Sequence, residues 1–213
     1  MNVHSVPNFL VYALFFYCIF YIKGLMQNLE TDMPTKIFQA TEQLMAEGGL
    51  QSLSMQKIAK KANISAGTIY LYFKNKDELL SQLAERIFHT FEQAIQQDYD
   101  ETQSLFEQYR KIWWNLWNLL QQEPNLVINM SQYRSLPNFY QACKESEKQS
   151  IWRIFCKKGV QAGELIDLPA NALFILSLRT VINMAFDCVF FKRSLSDEHL
   201  ESIILCSFKA IQK

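Results

Sequence analysis

The chain has 213 residues, of which 49% are hydrophobic and 20% are charged, and its formal net charge at pH 7 is zero. This composition excludes an intrinsically disordered chain and a uniformly basic nucleic-acid coat protein. Glycines and prolines are few, six and five respectively, and apolar residues recur at spacings of three and four. We therefore predict an all-α fold without a β-sheet.

The reactive residue types do not form a recognisable active site. The five cysteines show no C-x-x-C spacing, and the three histidines lie far apart in the sequence. Neither pattern indicates a disulfide framework or a metal site. A glycine-rich phosphate loop and a nucleophile with a neighbouring base are also missing from the sequence. We therefore expect a cytoplasmic protein with reduced thiols that is not an enzyme, with no catalytic residue, metal or cofactor.

The N-terminal segment, residues 1–32, contains an apolar run of 14 residues, Phe9–Ile22. A membrane-spanning helix needs about 20 residues, and no lysine or arginine precedes the run as in a secretory signal. Three interpretations of this extension are open. Translation begins downstream at Met26 or Met33, or the segment is a membrane anchor, or it is an added hydrophobic helix that packs on the body or on a partner.

Capping residues divide the following stretch into four predicted helices. Asp32 caps the first helix, which ends at two consecutive glycines, and Ser54 caps a second, basic helix. After a tight turn, Ser65 caps a third helix of barely two turns. Asn75 then opens a long fourth helix, with a glutamate three residues later as in a capping box, and we expect it to extend to about Asp98.

The rest of the chain is predicted to form further long helices without a flexible linker. Their expected ranges are Glu101–Gln122, Pro124–Ser135, Pro137–Ala162, Pro169–Arg193 and Asp197–Lys213. The charge is distributed unevenly, because Met33–Lys76 carries six lysines and two glutamates, whereas the remainder is mildly acidic. This asymmetry indicates that a small first domain, 33–79, meets a polyanion, and that residues 80–213 have another role.

The stretch SAGTIYLYF, which starts at Ser65, places small residues directly before aromatic ones. A short helix after a tight turn can enter a DNA major groove about 12 Å wide. Gly67 permits a close approach there, while the hydroxyl groups of this stretch can bond to bases or phosphates and Lys76 to the flanking backbone. The alternative is that Tyr70 and Tyr72 are packing residues and that the lysines form a solvated face.

The longer stretch SMQKIAKKANISAGTIYLYFKNKDELL, Ser54–Leu80, resembles the helix-turn-helix signature of the TetR/AcrR family of transcriptional regulators. The resemblance is close over Pro34–Ile87 and extends over the remainder only in length and helical pattern. Two departures, Leu71 in place of a common aromatic residue and Tyr72 in place of a common histidine, leave the preferred DNA sequence open. The predicted DNA-binding residues are Ser54, Gln56, Lys57, Ser65, Ala66, Gly67, Thr68, Tyr70, Tyr72 and Lys76.

The resemblance also implies that residues 80–213 form a helical ligand-binding and dimerisation domain. Three tryptophans are concentrated in Tyr109–Leu120, and large aromatic side chains can line an apolar cavity, although each of them can equally belong to an ordinary core. The predicted ligand-binding residues are Trp113, Trp114, Trp117, Asn129, Tyr133, Trp152, Phe155 and Asn183. The last two helices carry apolar stripes too wide for one subunit. Their predicted dimer-interface residues are Phe174, Leu178, Val181, Phe186, Ile204 and Phe208.

The sequence and the resemblance together predict a ligand-responsive DNA-binding regulator. The expected form is a homodimeric repressor that a small hydrophobic molecule releases from a palindromic operator in double-stranded DNA, and AcrR-like members of the family often control efflux. A membrane partner is not expected. Two alternatives stay open at this point, namely a membrane-tethered DNA-binding regulator and a helical adaptor that binds only proteins.

Overall fold

A computed structural model of the protein describes residues 32–147 and 150–213. The three interpretations of the N-terminal extension therefore concern a segment that lies outside the described residues, apart from Asp32. The described residues form eleven α-helices and one short 3₁₀ helix, Leu50–Ser52, and contain no β-strand. An isolated antiparallel bridge joins Leu165 to Gln212. The prediction of an all-α fold is confirmed.

Four helices build the N-terminal part, and each begins after its predicted cap. Their bounds are α1 Met33–Gly48, α2 Met55–Lys61, α3 Ala66–Ile69 and α4 Lys76–Gln96. The cap side chains of Asp32, Ser54, Ser65 and Asn75 each accept a hydrogen bond from the backbone N–H three residues later. This satisfies one of the unpaired N–H groups at each helix start. Helix α4 ends two residues before the expected Asp98.

Helix α3 is shorter than predicted. It ends at Ile69, and isolated turns carry the chain to Phe73, whose N–H bonds to the Ile69 carbonyl at 3.0 Å. Ile69 and Phe73 are fully buried and pack with α1, where the Phe38 and Phe73 rings meet edge-on at 5.2 Å between centroids. This small apolar core holds α1, α2 and α3 together.

Seven helices form the rest of the described chain. Their bounds are α5 Leu105–Gln122, α6 Pro124–Tyr133, α7 Phe139–Glu147, α8 Ile151–Gln161, α9 Ala170–Leu176, α10 Arg179–Phe191 and α11 Asp197–Lys209. Helix α4 runs alongside α5 and α7, while α1 packs on α6. Helix α4 therefore belongs to both parts of the molecule.

Two of the long predicted helices are divided in the structure. The range Pro137–Ala162 contains α7 and α8, and α7 starts only at Phe139, because Asn138 adopts a left-handed φ of 57°. The range Pro169–Arg193 is interrupted at Ser177, whose hydroxyl donates to the Leu173 carbonyl at 2.6 Å. Such a bond competes with the regular helical pattern. The predicted start at Glu101 is also wrong, since Ser104 caps α5.

Helix α8 makes a close contact at Gly159. A Cβ atom at this position would lie 2.5 Å from Leu165 Cδ1 and 2.7 Å from Leu105 Cδ2. Because real Cβ atoms do not approach so closely, any larger residue would displace the leucines. The subunit's own packing therefore disfavours a side chain at this position.

Candidate nucleic-acid interface

The turn after α3 presents three consecutive large side chains to solvent. Tyr70 is 53% exposed, Leu71 82% and Tyr72 43%. On either side of them, Ile69 and Phe73 are buried. This arrangement explains how a helix of only four residues holds the turn that follows it in place. The two buried apolar side chains anchor the turn, and the three side chains between them face solvent. Tyr70 and Tyr72 therefore lie on the surface of the subunit, whereas the alternative interpretation treats them as packing residues.

Leu71 was missed as a candidate residue, and it is the most exposed of the large apolar side chains described. Its exposure follows from geometry, since three adjacent large residues on one short turn cannot all point inward. The exposure of Leu71 could therefore have been predicted from the order of residues in the sequence. An apolar side chain in this position can contact the methyl group of thymine in a major groove.

Gly67 lies in open space at the start of α3. A Cβ built on it would approach no described atom more closely than Ser65 Oγ, at 3.7 Å. Ser65 Oγ accepts from the Thr68 N–H at 3.0 Å and lies 2.7 Å from Thr68 Oγ1. The fold of the subunit thus leaves room for a side chain at position 67, and glycine there is not explained by internal packing.

The lysines near α2 differ in how they are engaged. Lys57 Nζ donates to the Ser52 carbonyl at 2.9 Å, and Lys61 Nζ forms an ion pair with Glu47 at 2.7 Å. That partner lowers the pKa of the Glu47 carboxyl. Lys60 and Lys74 are exposed and Lys76 is partly buried. Lys60 and Lys74 were not among the predicted DNA-binding residues. Lys60 lies in the basic helix and Lys74 follows the aromatic tip, and these positions could have indicated them.

The structure brings most of the predicted DNA-binding residues onto two helices that pack together, α2 and α3, and onto the turn that follows α3. On α2, Gln56 and Lys57 are exposed and Ser54 is partly buried as the cap. On α3, Ser65, Ala66 and Gly67 are exposed and Thr68 is partly buried. Because α2 and α3 pack against each other, this region combines hydroxyl groups, ammonium groups and a bare helix start. We refer to it as the α2–α3 surface.

The aromatic residues predicted to bind a ligand lie in a packed core, apart from Trp114, which is partly buried at its edge. Trp113 stacks on Trp117 at 5.7 Å, and Trp152 stacks on Phe155 at 5.2 Å. The indole N–H of Trp152 donates to the Ala170 carbonyl at 2.8 Å. The indole N–H of Trp114 donates to Glu201 Oε1 at the same distance. The polar atoms of these two rings therefore already have protein partners.

The remaining predicted ligand residues have other positions. Asn129 and Tyr133 are buried and bond to Glu42 of α1, whereas Asn183 is exposed. A surface groove of about 350 Å³ is lined mostly by charged and amide residues, and Trp114 is the predicted residue that lines it, beside Arg110, Lys111 and several acidic side chains. Within the described residues, no group of three acidic, histidine or cysteine side chains could hold a metal ion. Ligand binding by the aromatic set stays a prediction.

Most of the residues predicted to form a dimer interface are internal. Leu178, Val181, Ile204 and Phe208 are at most 5% exposed, since they pack on the subunit's own core, with Phe208 5.3 Å from the Tyr109 ring. Phe174 is partly buried and Phe186 is 41% exposed. The four internal residues therefore leave the proposed interface. The apolar side chains that α9, α10 and α11 do expose are Ile175, Leu176, Phe186, Phe190, Phe191 and Leu205.

Helices α9 and α10 lie in an apolar stretch that has the length and composition of a membrane span. Ala170–Phe191 reaches a mean hydropathy of 1.7, and 33% of that window is buried within the subunit. Core helices of soluble proteins pass this test as well, and the break at Ser177 divides the stretch into α9 and α10. The stretch is weak evidence for a membrane association.

Comparison with known proteins identifies the family. Residues 37–83 match the family described as "Bacterial regulatory proteins, tetR family", and residues 104–212 match "Tetracyclin repressor-like, C-terminal domain". An "Uncharacterized HTH-type transcriptional regulator" of Haemophilus influenzae is 50% identical over 188 residues, which is 88% of this chain and 100% of the relative.

Solved structures agree with this assignment. A crystal structure of a TetR-family transcriptional regulator from Haemophilus influenzae superposes with a TM-score of 0.80 and 51% identity, covering 85% of this chain and 100% of that one. A putative TetR-family regulator from Vibrio parahaemolyticus gives a TM-score of 0.72 with 31% identity and the same coverage. The α2–α3 surface is thus the helix-turn-helix of a DNA-binding protein, and the chain belongs to the TetR family of transcriptional regulators.

Proposed function

We propose that this regulator is a homodimeric repressor that binds a palindromic operator through the α2–α3 surfaces of its two subunits. The observation that carries the proposal is the exposed tip Tyr70–Tyr72 between the buried anchors Ile69 and Phe73. An exposed aromatic and apolar tip beside three lysines, Lys60, Lys74 and Lys76, fits a major groove lined by phosphates. Two such heads about 34 Å apart would read two half-sites one helical turn apart.

The proposed dimer forms through the apolar side chains exposed on α9, α10 and α11. Phe186 stacks on Phe190 at 5.4 Å, and Phe190 meets Phe191 edge-on at 5.1 Å, so these rings make one continuous apolar surface. A surface of this kind rarely stays in contact with water on a soluble protein. A two-fold symmetric pairing buries the same patch on both subunits.

DNA selection tests the proposal. Full-length protein is incubated with fragmented genomic DNA of its source, and the retained fragments are sequenced and footprinted. We expect a small set of fragments that contain two symmetric half-sites, with efflux genes beside them as one expectation. No sequence-selective retention would contradict the proposal and favour the protein-binding adaptor. Cell fractionation of the full-length protein tests the membrane-tethered alternative, which predicts that the protein is found in the membrane fraction.

Salt dependence then tests the residues proposed to bind phosphate. The combined substitutions Tyr70→Phe and Lys76→Ala should weaken operator binding and reduce the slope of log affinity against log salt by about 0.9 for each phosphate that is no longer neutralised. Lys209→Ala removes the same charge from the exposed end of α11 and serves as the control. Unchanged affinity together with an unchanged slope in the double variant would show that Tyr70 and Lys76 do not bind the DNA backbone.

We propose further that a small hydrophobic molecule releases the DNA by binding in the aromatic half. The concentration of rings around Trp113, Trp117 and Trp152 supports this class of effector. The molecule would need a higher affinity for the released state than for the DNA-bound state. A thermal-shift screen of lipophilic compounds should find ligands whose effect Trp117→Ala alters while DNA affinity is preserved. Loss of folding in that variant would instead favour a plain core.

A further inference from the structure

Three polar residues on one face of α6 bond to α1. Asn129, Gln132 and Tyr133 stand at positions i, i+3 and i+4, and they therefore share a face of the helix. Asn129 Nδ2 donates to the Glu42 carbonyl at 2.8 Å, and the Tyr133 hydroxyl donates to Glu42 Oε1 at 2.8 Å. Asn129 is fully buried and Tyr133 is 1% exposed. These two bonds join the ligand-binding half to the first helix of the DNA-binding half.

Gln132 reaches the point where α1 ends. Its Nε2 donates to the Met45 carbonyl at 3.1 Å and to Asn129 Oδ1 at 3.1 Å, and its Oε1 accepts from the Leu50 N–H at 2.7 Å. Between Met45 and Leu50 the chain leaves α1 and turns toward α2. One amide side chain thus holds both ends of this turn. An amide with both its donor and its acceptor engaged fixes orientation more strictly than an apolar contact does.

The hydrogen-bonding face of α6 lies close to one of the two connections between the α2–α3 surface and the body of the subunit. The α2–α3 surface follows directly after this turn, and its other rigid connection to the body is α4. On α4, Arg86 reaches α1 with a cation–π contact to Phe38 at 5.5 Å and a hydrogen bond to Thr35 Oγ1 at 3.4 Å. The α6 bonds lie around the other end of α1, at Glu42, Met45 and Leu50. Helix α1 is therefore held near both of its ends.

We propose that Gln132, with Asn129 and Tyr133, is a positioning residue for DNA binding, which sets the orientation of the α2–α3 surface relative to the body of each subunit. The inference rests on the proposed binding of one operator by the α2–α3 surfaces of two subunits, since only a pair of such surfaces requires a fixed separation. Gln132 touches no base or phosphate in this role. It acts through the turn between α1 and α2.

The test compares two DNA duplexes and uses Gln132→Met, which keeps the side-chain length and removes the hydrogen bonds. One duplex carries the full selected operator and the other a single half-site. Affinity for the half-site should stay within about twofold of the wild-type value, because the α2–α3 surface is unchanged, while affinity for the full operator falls about tenfold. Inserting or deleting one base pair between the half-sites should then penalise the variant less than the wild type.

Two further variants complete the experiment. Tyr133→Phe removes one bond to Glu42 and should shift the ratio of full-site to half-site affinity in the same direction. Ser131→Ala changes an exposed residue on the same helix and should leave the ratio unchanged. An equal loss on both duplexes, or an unchanged ratio and spacing preference in Gln132→Met, would show a purely structural role and overturn the inference. Wild-type protein that retains no DNA would instead overturn the proposed function itself, and this inference with it.

Discussion

Gly67 is a residue that the subunit tolerates but does not require. The space around its position is open, with the nearest atom 3.7 Å from a built Cβ, and glycine within a helix is less stable than alanine by up to about 1 kcal/mol. A residue that costs stability without an internal reason indicates an external one. The proposed close approach of DNA to the start of α3 would provide that reason.

Gly67→Ala should therefore separate stability from function. We expect an unchanged or higher melting temperature, since alanine is the better helix former, together with a loss of operator affinity of about tenfold or more from the added methyl group. Differential scanning fluorimetry and fluorescence anisotropy measure the two effects. Ala94→Gly on α4, outside the predicted DNA-binding residues, is the control and should lower stability while keeping DNA binding. Full affinity in Gly67→Ala would contradict the close approach.

Glu42 gives a second prediction at this scale. Its carboxyl group is partly enclosed between α1 and α6, and burial raises its pKa above the ordinary value of 4.5, although the Tyr133 hydroxyl and Arg86 act in the opposite direction. Below pH 4.5 the group is protonated in the folded and unfolded states alike. As pH rises through the raised pKa, the unfolded state ionises more easily, and the free energy of unfolding falls.

Glu42→Gln should consequently raise the melting temperature near neutral pH, and the difference from the wild type should vanish as pH falls below about 4.5. Glutamine keeps an oxygen that can accept from Tyr133. Glu47→Gln is the control of opposite sign, because Lys61 lowers the pKa of Glu47, and the stability from that pair is lost as pH falls. Melting curves at several pH values check both. A lower melting temperature for Glu42→Gln at neutral pH would show that the charged form is favoured.

At the scale of helices, starts were more predictable than interruptions. Asp32, Ser54, Ser65 and Asn75 are all caps that the sequence predicts, because a cap acts within one turn of its own helix. The break at Ser177 was missed, since it interrupts an apolar pattern that is itself continuous. The sequence alone does not show that the Ser177 hydroxyl bonds backward to Leu173, because many serines inside helices do not.

Helices α5 and α11 are joined by one carboxylate. Glu201 accepts from Arg110 Nη2 at 2.6 Å and Nε at 2.8 Å, and from the Trp114 indole N–H at 2.8 Å. The hydrogen bonds from Arg110 lower the pKa of Glu201 most, burial raises it by less, and the bond from Trp114 adds a smaller lowering. The stabilisation is therefore present above the ordinary pKa and is lost as pH falls.

Glu201→Ala should lower the free energy of unfolding by about 1 kcal/mol, a value that allows for the partial exposure of the pair. Hydrogen exchange in α11 should become faster. Glu107→Ala is the control, since Glu107 lies at the longer distance of 3.5 Å from the same arginine, and its effect should be smaller. Equal effects of the two substitutions would contradict a special role of Glu201.

At the scale of the whole molecule, the proposed dimer depends on exposed aromatic side chains. Phe190 is 66% exposed and lies between Phe186 and Phe191. Phe190→Glu should produce monomers at micromolar concentration, because a charge in the centre of an apolar interface is strongly unfavourable. Light scattering coupled to size exclusion measures the mass. Tyr140→Glu alters another exposed aromatic residue, 71% exposed on α7, and should leave the mass unchanged.

The sequence predicted which residues form the exposed α2–α3 surface better than which residues the last three helices expose, for a physical reason. The α2–α3 surface is a local motif, so that its small and aromatic residues are neighbours in the chain. Whether Val181 or Phe186 faces the core depends on where α5 and α6 lie, which no local pattern contains. Both residues are apolar on the same helix, and only the assembled fold separates them. The tryptophans of α5 were ambiguous between core and pocket for the same reason.

The close packing at Gly159 has a practical use in saturation mutagenesis. Substitutions there should reduce cellular abundance, since they collide with Leu165 and Leu105, and reporter repression would fall only as the amount of protein falls. Substitutions at Gly67 should spare abundance and abolish repression. The two glycines therefore provide internal standards, one for each cause of a defective clone, against which every other position in such a library can be ranked.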